Sequence, residues 1–258
     1  MAEEMRAVIL CGGRGTRLRE HTEAPPKALV DIGGRPILWH IMKGYQVCGF
    51  SEFVLALGYK AGDIGRYFGV IPHPASTEAT PAPAPAGDRQ QADGGWTIIG
   101  IDTGVDTNTG GRIWSLRDAL GRSTFFATYG DGVSDIDHRE LLEFHRSHGK
   151  VATLTAVRPN LGFGVLHLDH GSRVQRFEEK PRFDGWINGG FFVFEPEIFD
   201  YLAPDSILER EPLERLAVDG QLVAYQHDGF WSCMDTYKDT LELNRLWSEG
   251  EAPWATWL

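Results

Sequence analysis

The feature that most constrains this chain lies near its start. A short apolar run, Arg6–Leu10, leads directly into Cys11-Gly12-Gly13-Arg14-Gly15-Thr16-Arg17. The run is too short for a helix and has no polar alternation, so it reads as a strand covered on both faces, the kind found in parallel sheets. Glycines placed directly after such a strand permit positive φ and bring backbone N–H groups close to an anion. The turn is not the dinucleotide fingerprint G-x-G-x-x-G, because Leu18 stands where the third glycine would be. Nor does it end in the Gly-Lys-Ser/Thr of a Walker A loop.

Strand and helix signals then alternate. Pro36 is suited to open a helix, and Ile37, Leu38, Ile41, Met42 and Tyr45 follow at helical spacing until Gly49. Strands are predicted at residues 53–57, Thr97–Asp102, Phe125–Tyr129 and Ala152–Val157, with helices at 63–68, 110–120 and His138–His148. Further on, Val165–Leu168 and residues 173–177 flank His170-Gly171-Ser172 as a hairpin. Strands at 191–194 and 222–226 and helices at 206–218 and 236–247 complete the pattern. The expected fold class is α/β: a mixed, mainly parallel sheet with helices on both faces and a small antiparallel elaboration. The proline- and alanine-rich stretch at about 72–87 reads as an exposed loop inside one domain of residues 1–258, because the alternation resumes after it.

Composition narrows the class. With 36 Asp+Glu against 25 Lys+Arg the net charge is -11, which excludes a broad basic face for nucleic acid but not a small phosphate site. No apolar stretch is long enough to cross a bilayer, and the first apolar run is too short for a secretion signal, so a cytoplasmic protein is expected. Three cysteines, Cys11, Cys48 and Cys233, are too few and too scattered for a disulfide framework or a zinc site.

Several short motifs could carry chemistry. Lys27 lies in Pro25-Pro26-Lys27-Ala28-Leu29, where stiff prolines could aim it at the glycine turn; alone, it would be a solvated lysine. Asp131, in Tyr129-Gly130-Asp131-Gly132, ends an apolar strand where a magnesium ligand would sit; alone, it would be a turn aspartate. Met234-Asp235-Thr236 offers a second carboxylate, Glu179-Lys180-Pro181 a cation, and Asn188-Gly189-Gly190 a hydrogen-bonding amide with close backbone approach. His145 and His148 share a helix face without a third ligand and read as packing or surface residues. Trp231, Trp247, Trp254 and Trp257 read as packing for the C-terminal segment against the sheet or a neighbouring subunit.

Taken in order, Gly-Gly-x-Gly-Thr-Arg-Leu, Pro-Lys-Ala-Leu, Gly-Asp-Gly, Glu-Lys-Pro, Asn-Gly-Gly and Met-Asp-Thr resemble the sugar-1-phosphate nucleotidylyltransferases over nearly the whole chain. The branch it is most similar to is the cytidylyltransferases acting on glucose 1-phosphate. Segments behind this are Gly33-Gly34-Arg35-Pro36, Thr109-Gly110-Gly111-Arg112, Gly229-Phe230-Trp231 and Ala252-Pro253-Trp254. The chain departs from the branch pattern at Cys11, Pro25 and Gly162.

The resemblance implies a Rossmann-like nucleotidyltransferase fold and Mg²⁺-dependent transfer of a nucleotidyl group from an NTP, CTP by preference, to a sugar 1-phosphate. The products would be an NDP-sugar and pyrophosphate. It implies catalytic roles for Arg17, Lys27, Asp131 and Asp235, with Asp131 and Asp235 holding the metal. The nucleotide would lie against Leu10, Gly12, Gly13, Arg14, Gly15, Thr16, Arg17, Lys27, Thr107, Arg112 and Gly130. The sugar phosphate would meet Tyr129, Lys180, Asn188 and Gly189. A homo-oligomer without nucleic-acid or membrane partners is expected. The same chemistry with dTTP, UTP or GTP, or with another sugar phosphate, is the alternative. A non-catalytic nucleotide-sugar sensor would not need both metal carboxylates, and a Rossmann oxidoreductase lacks its third glycine.

Overall fold

The computed structural model describes residues 5–15, 25–75, 82–83 and 95–258. Thr16 and Arg17, and most of the proline- and alanine-rich stretch, lie outside the described residues.

The first strand, β1 (Arg6–Leu10), is central in the sheet. Parallel neighbours flank it: β4 (Glu52–Leu57) on one side and β8 (Phe125–Tyr129) on the other. Beyond β4 lies β7 (Thr97–Asp102), also parallel. Beyond β8 come β13 (Ile187–Phe194), β10 (Ala152–Val157) and β14 (Leu222–His227). β13 runs antiparallel to both neighbours, which makes the sheet mixed. The far edge is β5 (His73–Pro74) and β6 (Ala82–Pro83), both paired to β7. These two dipeptides fall in the stretch expected to be a loop. Proline is tolerated there because an edge strand leaves one row of N–H groups unpaired.

Side-chain alternation divides the core in two. Ala7, Ile9, Phe53, Leu55, Phe126 and Val193 face one helical layer, with α1 (Ile37–Val47), α2 (Ala61–Phe68), α5 (His138–His148) and α7 (Tyr237–Ser248). Val8, Val54, Ala56, Phe125, Ala127 and Phe192 face the other, with α3 (Thr109–Ser115), α4 (Arg117–Leu120) and α6 (Glu211–Val218). The inner strands β1, β4, β7, β8, β10 and β13 are buried on both faces, as their continuous apolar runs require, while the edge strand β14 is partly exposed.

The helix expected at 110–120 is two, broken at Leu116. The one expected from residue 206 starts at Glu211, with Pro212 in its first turn. Three ribbons complete the antiparallel elaboration: the hairpin of β11 (Val165–Leu168) and β12 (Val174–Glu178), the pair of β9 (Gly132–Ser134) and β15 (Trp231–Cys233), and the short pair of β2 (Asp31–Ile32) and β3 (Arg35–Pro36). The first exposes Leu166, Leu168, Val174 and Phe177. Among the described residues, no helix is long and apolar enough to cross a membrane.

Trp247, Trp254 and Trp257 surround His40 on α1, with Trp254 buried. This is the C-terminal packing expected of them. His145 is buried between Thr153 and Glu195, and His148 also meets Thr153.

Candidate active site

Adjacent parallel strands β1 and β8 end side by side, Leu10 opposite Tyr129. Ligands of open α/β sheets bind beyond such carboxyl ends. Here an open cleft of about 910 Å³ lies there, walled by the glycine turn, the segment after β7, the end of β13 and the β9–β15 ribbon.

Asp131 is placed by a close crossing. The Gly130 N–H donates to the Leu10 carbonyl at 3.1 Å. A Cβ on Gly130 would lie 3.0 Å from that oxygen and 3.2 Å from the Cys11 Cβ, so glycine lets the two strand ends meet. The β9–β15 ribbon then fetches the second carboxylate. Gly132 pairs with Cys233, and the Met234 N–H donates to the Asp131 carbonyl at 2.9 Å. Asp235 follows, its own N–H donating to the Asp239 carboxylate at 3.0 Å. Asp239 also closes the capping box with Thr236 that starts α7.

Lys27 lies in a short 3-10 turn, Lys27–Leu29, anchored by buried Ala28. Its stem packs 3.1 Å from where a Gly15 Cβ would stand, and Gly15 has φ +58°. The lysine therefore turns back onto the glycine turn, as its prolines suggested. Its Nζ donates to Asp131 Oδ2 at 2.6 Å and to Asp235 Oδ1 at 2.5 Å. Burial works against the ammonium, but the Asp131 carboxylate and the hydrogen bonds to both aspartates outweigh it and hold its pKa above the ordinary lysine value.

Asp131, Cys233 and Asp235 place donor atoms within 4.8 Å of one another. Burial, reinforced by the two aspartates, pushes the Cys233 thiol up to about 12, and its soft sulfur suits a hard divalent cation less than the two carboxylates do. That leaves two carboxylates converging on a point where the Lys27 ammonium already sits. Hard oxygen donors arranged around one cation position fit Mg²⁺ or a similar divalent ion.

The glycine turn has two different reasons for its glycines. A Cβ on Gly12 would lie 2.1 Å from Arg112 Nη1, while one on Gly13 would meet nothing within 4 Å. Gly12 makes room for a guanidinium, and Gly13 leaves the backbone open to the cleft. Arg112, 4% exposed, bonds the carbonyls of Gly12, Leu57, Gly104 and Val105 and the Thr103 hydroxyl. The resemblance placed Arg112 against the nucleotide. In the structure Arg112 is on the cleft wall, and its Nη1 and Nη2 clamp the glycine turn, the end of β4 and the 103–105 segment together. Thr107 lines the cleft and donates to the Thr103 carbonyl at 2.5 Å. Arg14 pairs with Asp106 at 2.8 Å across the same rim.

On the other side, Asn188 Oδ1 accepts from the Gly190 N–H at 2.8 Å. Its amide lies 3.4 Å from the Tyr129 hydroxyl. The Gly189 carbonyl accepts from Trp231 Nε1 at 2.7 Å, which places Trp231 on the cleft wall rather than in C-terminal packing. Lys180 is not brought in. It follows β12 with φ +44°, its ammonium 3.6 Å from Glu179, and it is not part of the cleft wall. Cys11 is buried, its thiol pushed up to about 12 by burial, and serves packing. Asp106 and Glu209 are cleft residues that no sequence motif pointed to, and Trp231, though part of a resembling segment, reads as packing in the sequence alone.

This architecture has known counterparts. Residues 6–248 match the nucleotidyl transferase family. The chain belongs to that family. The Bacillus subtilis (strain 168) protein named "Probable glucose-1-phosphate cytidylyltransferase" is 45% identical over 257 residues, 98% of this chain and 100% of its own. Glucose-1-phosphate cytidylyltransferase of Salmonella typhi is 44% identical over the same shares. Among solved structures, HddC from Yersinia pseudotuberculosis superposes with a TM-score of 0.69 at 23% identity, covering 94% of this chain and 99% of its own. That likeness concerns the fold.

Proposed function

We propose that this nucleotidyltransferase moves the cytidylyl group of CTP onto glucose 1-phosphate, giving CDP-glucose and pyrophosphate. The observation that carries the reading is the meeting of Lys27, Asp131 and Asp235 at the carboxyl end of the central strands, beside an open glycine turn. Near-full-length identity of 44–45% to proteins of that name supports the choice of base and sugar.

The nucleophile is a phosphate oxygen already ionised at neutral pH, so the site needs no general base. It attacks the α-phosphorus in line; a P–O bond forms there as the bond to pyrophosphate breaks. Catalysis is positioning and charge neutralisation. A divalent cation held by Asp131 and Asp235, taken here as Mg²⁺, would neutralise phosphate charge when bound. Lys27 exchanges its carboxylate partners for phosphate oxygens. Backbone N–H groups of Gly13, Arg14 and Gly15 receive the phosphates, with Leu10, Gly12 and Gly130 forming the floor and Thr107 the base side. The resemblance alone assigns Arg17 to the pyrophosphate and Thr16 to the nucleotide. Tyr129, Asn188 and Gly189 meet the sugar. Lys180 would reach the sugar phosphate only if the segment carrying it swings toward the cleft. A homo-oligomer is part of this reading, supported by the apolar hairpin left exposed.

Pyrophosphate release with glucose 1-phosphate and Mg²⁺, run in parallel with CTP, UTP, dTTP, ATP and GTP, tests it. CTP should be preferred, with CDP-glucose identified by mass. Preference for another NTP would move the base assignment, and silence with all five would refute glucose 1-phosphate as acceptor.

A further inference from the structure

Glu209 belongs to none of the sequence motifs, yet it is fixed in the cleft from two sides. Its Oε1 accepts from the Tyr129 hydroxyl at 2.5 Å and its Oε2 from the Thr109 hydroxyl at 2.7 Å. The loop that carries it is fastened to α3. The Gly111 N–H donates to the Ser206 carbonyl at 3.0 Å, the Leu208 N–H to the Thr109 hydroxyl at 3.0 Å, and the Asn108 amide to the Asp205 carbonyl at 3.1 Å. A Cβ on Gly111 would stand 2.1 Å from the Pro204 carbonyl oxygen, so this docking requires glycine there. Tyr129 is held as well: its ring fills the space of a Gly190 Cβ, 2.3 Å from Cδ2.

A glutamate on an exposed loop ordinarily keeps its rotamer freedom and its water. Here two hydroxyls, from β8 and from the start of α3, immobilise it at the cleft wall. An ionised carboxylate has about four acceptor positions, and the protein fills two. It can take further hydroxyl donors, and it repels phosphate oxygens.

We propose that Glu209 is the hydroxyl-recognising carboxylate of this cleft, accepting from a ring hydroxyl of a bound substrate and so selecting for that hydroxyl. The inference rests on the reading above. Ribose and glucose both offer such hydroxyls, and the experiment separates them. Calorimetric titration of the full chain with Mg²⁺ compares CTP with 2′-deoxy and 3′-deoxy CTP. It also compares glucose 1-phosphate with its 2-, 3-, 4- and 6-deoxy analogues, each for wild type, Glu209→Ala and Glu209→Gln. Wild type should bind at least one analogue about tenfold or more weakly than its parent, the usual scale for a hydrogen bond to a charged group. In Glu209→Ala that ratio should fall to about one, and in Glu209→Gln to an intermediate value. Collapse in the CTP series assigns the hydroxyl to ribose, and in the sugar series to glucose. Should the alanine variant not fold, the glutamine variant, which keeps the side chain's shape, still reads the ratio. Unchanged ratios in a folded variant overturn the inference alone. A wild-type protein that binds neither CTP nor glucose 1-phosphate overturns the functional reading and this inference with it.

Discussion

The Lys27 ammonium bridges Asp131 and Asp235, residues 104 and 208 positions away in sequence, at 2.6 and 2.5 Å. One cation thus balances two carboxylates at the point where the central strands end. Removing it should leave both uncompensated and take a positive charge from the reacting phosphates. Lys27→Met is expected to cut turnover by about 10²–10³-fold, the range for loss of one electrostatic contact to a transition state. Steady-state pyrophosphate release measures this, and a loss under about fivefold would remove Lys27 from the reaction.

Gly12 and Gly13 should separate fold from binding. Gly12→Ala pushes a methyl into the buried Arg112 guanidinium, so a stability loss of about 1–3 kcal/mol is expected, as for other overpacked sites. Gly13→Ala has open space, so the melting temperature should hold while NTP affinity falls. Denaturant melts and CTP titrations of both variants decide it. Equal behaviour would mean that the two glycines do one job.

Acid should weaken the fold through two buried histidines, His40 on α1 and His138 on α5. His40 accepts at Nδ1 from Trp254 and donates from Nε2 to the Ile32 carbonyl, which suits a neutral ring. Burial pushes it down to about 4. His138, stacked on Tyr45 at 3.7 Å, is pushed down to about 3 by burial. Below pH 6.5 the unfolded chain takes up protons that these folded histidines refuse. Stability is therefore full above about pH 6.5 and declines as pH falls toward 4 and then 3. Melting temperatures from pH 7.5 to 4.5 should drop, and His138→Phe should flatten part of the slope. A flat wild-type profile would contradict the assignment.

Much of the fold was legible because its strands are buried on both faces. Continuous apolar runs such as Phe125–Tyr129 and Ala152–Val157 mark themselves, and glycine or proline marks their ends. The candidate site was legible where a charged residue interrupts such a punctuated end, as with Asp131, Lys27 and Asp235. What joins them was not. The strands β9 and β15 are three residues each, too short for alternation to register. Arg112 was placed near the nucleotide by the resemblance alone; only the fold shows five protein acceptors around its guanidinium. Glu209 was hidden in a segment whose apolar spacing suggested helix, while close packing on Gly110 and Gly111 holds it as a turn. Lys180 shows the reverse: a sequence motif places it at the sugar phosphate, and the structure leaves it beside Glu179.

The central claim is that Asp131 and Asp235 hold one divalent cation for nucleotidyl transfer. The direct measurement is Mn²⁺ binding by electron paramagnetic resonance, with CTP present, alongside pyrophosphate release, for wild type, Asp131→Asn and Asp235→Asn. The account predicts that each variant stays folded, weakens Mn²⁺ binding at least tenfold and loses turnover by 10²-fold or more, on the order expected for a lost metal ligand. Wild-type metal affinity and turnover in either folded variant would contradict it.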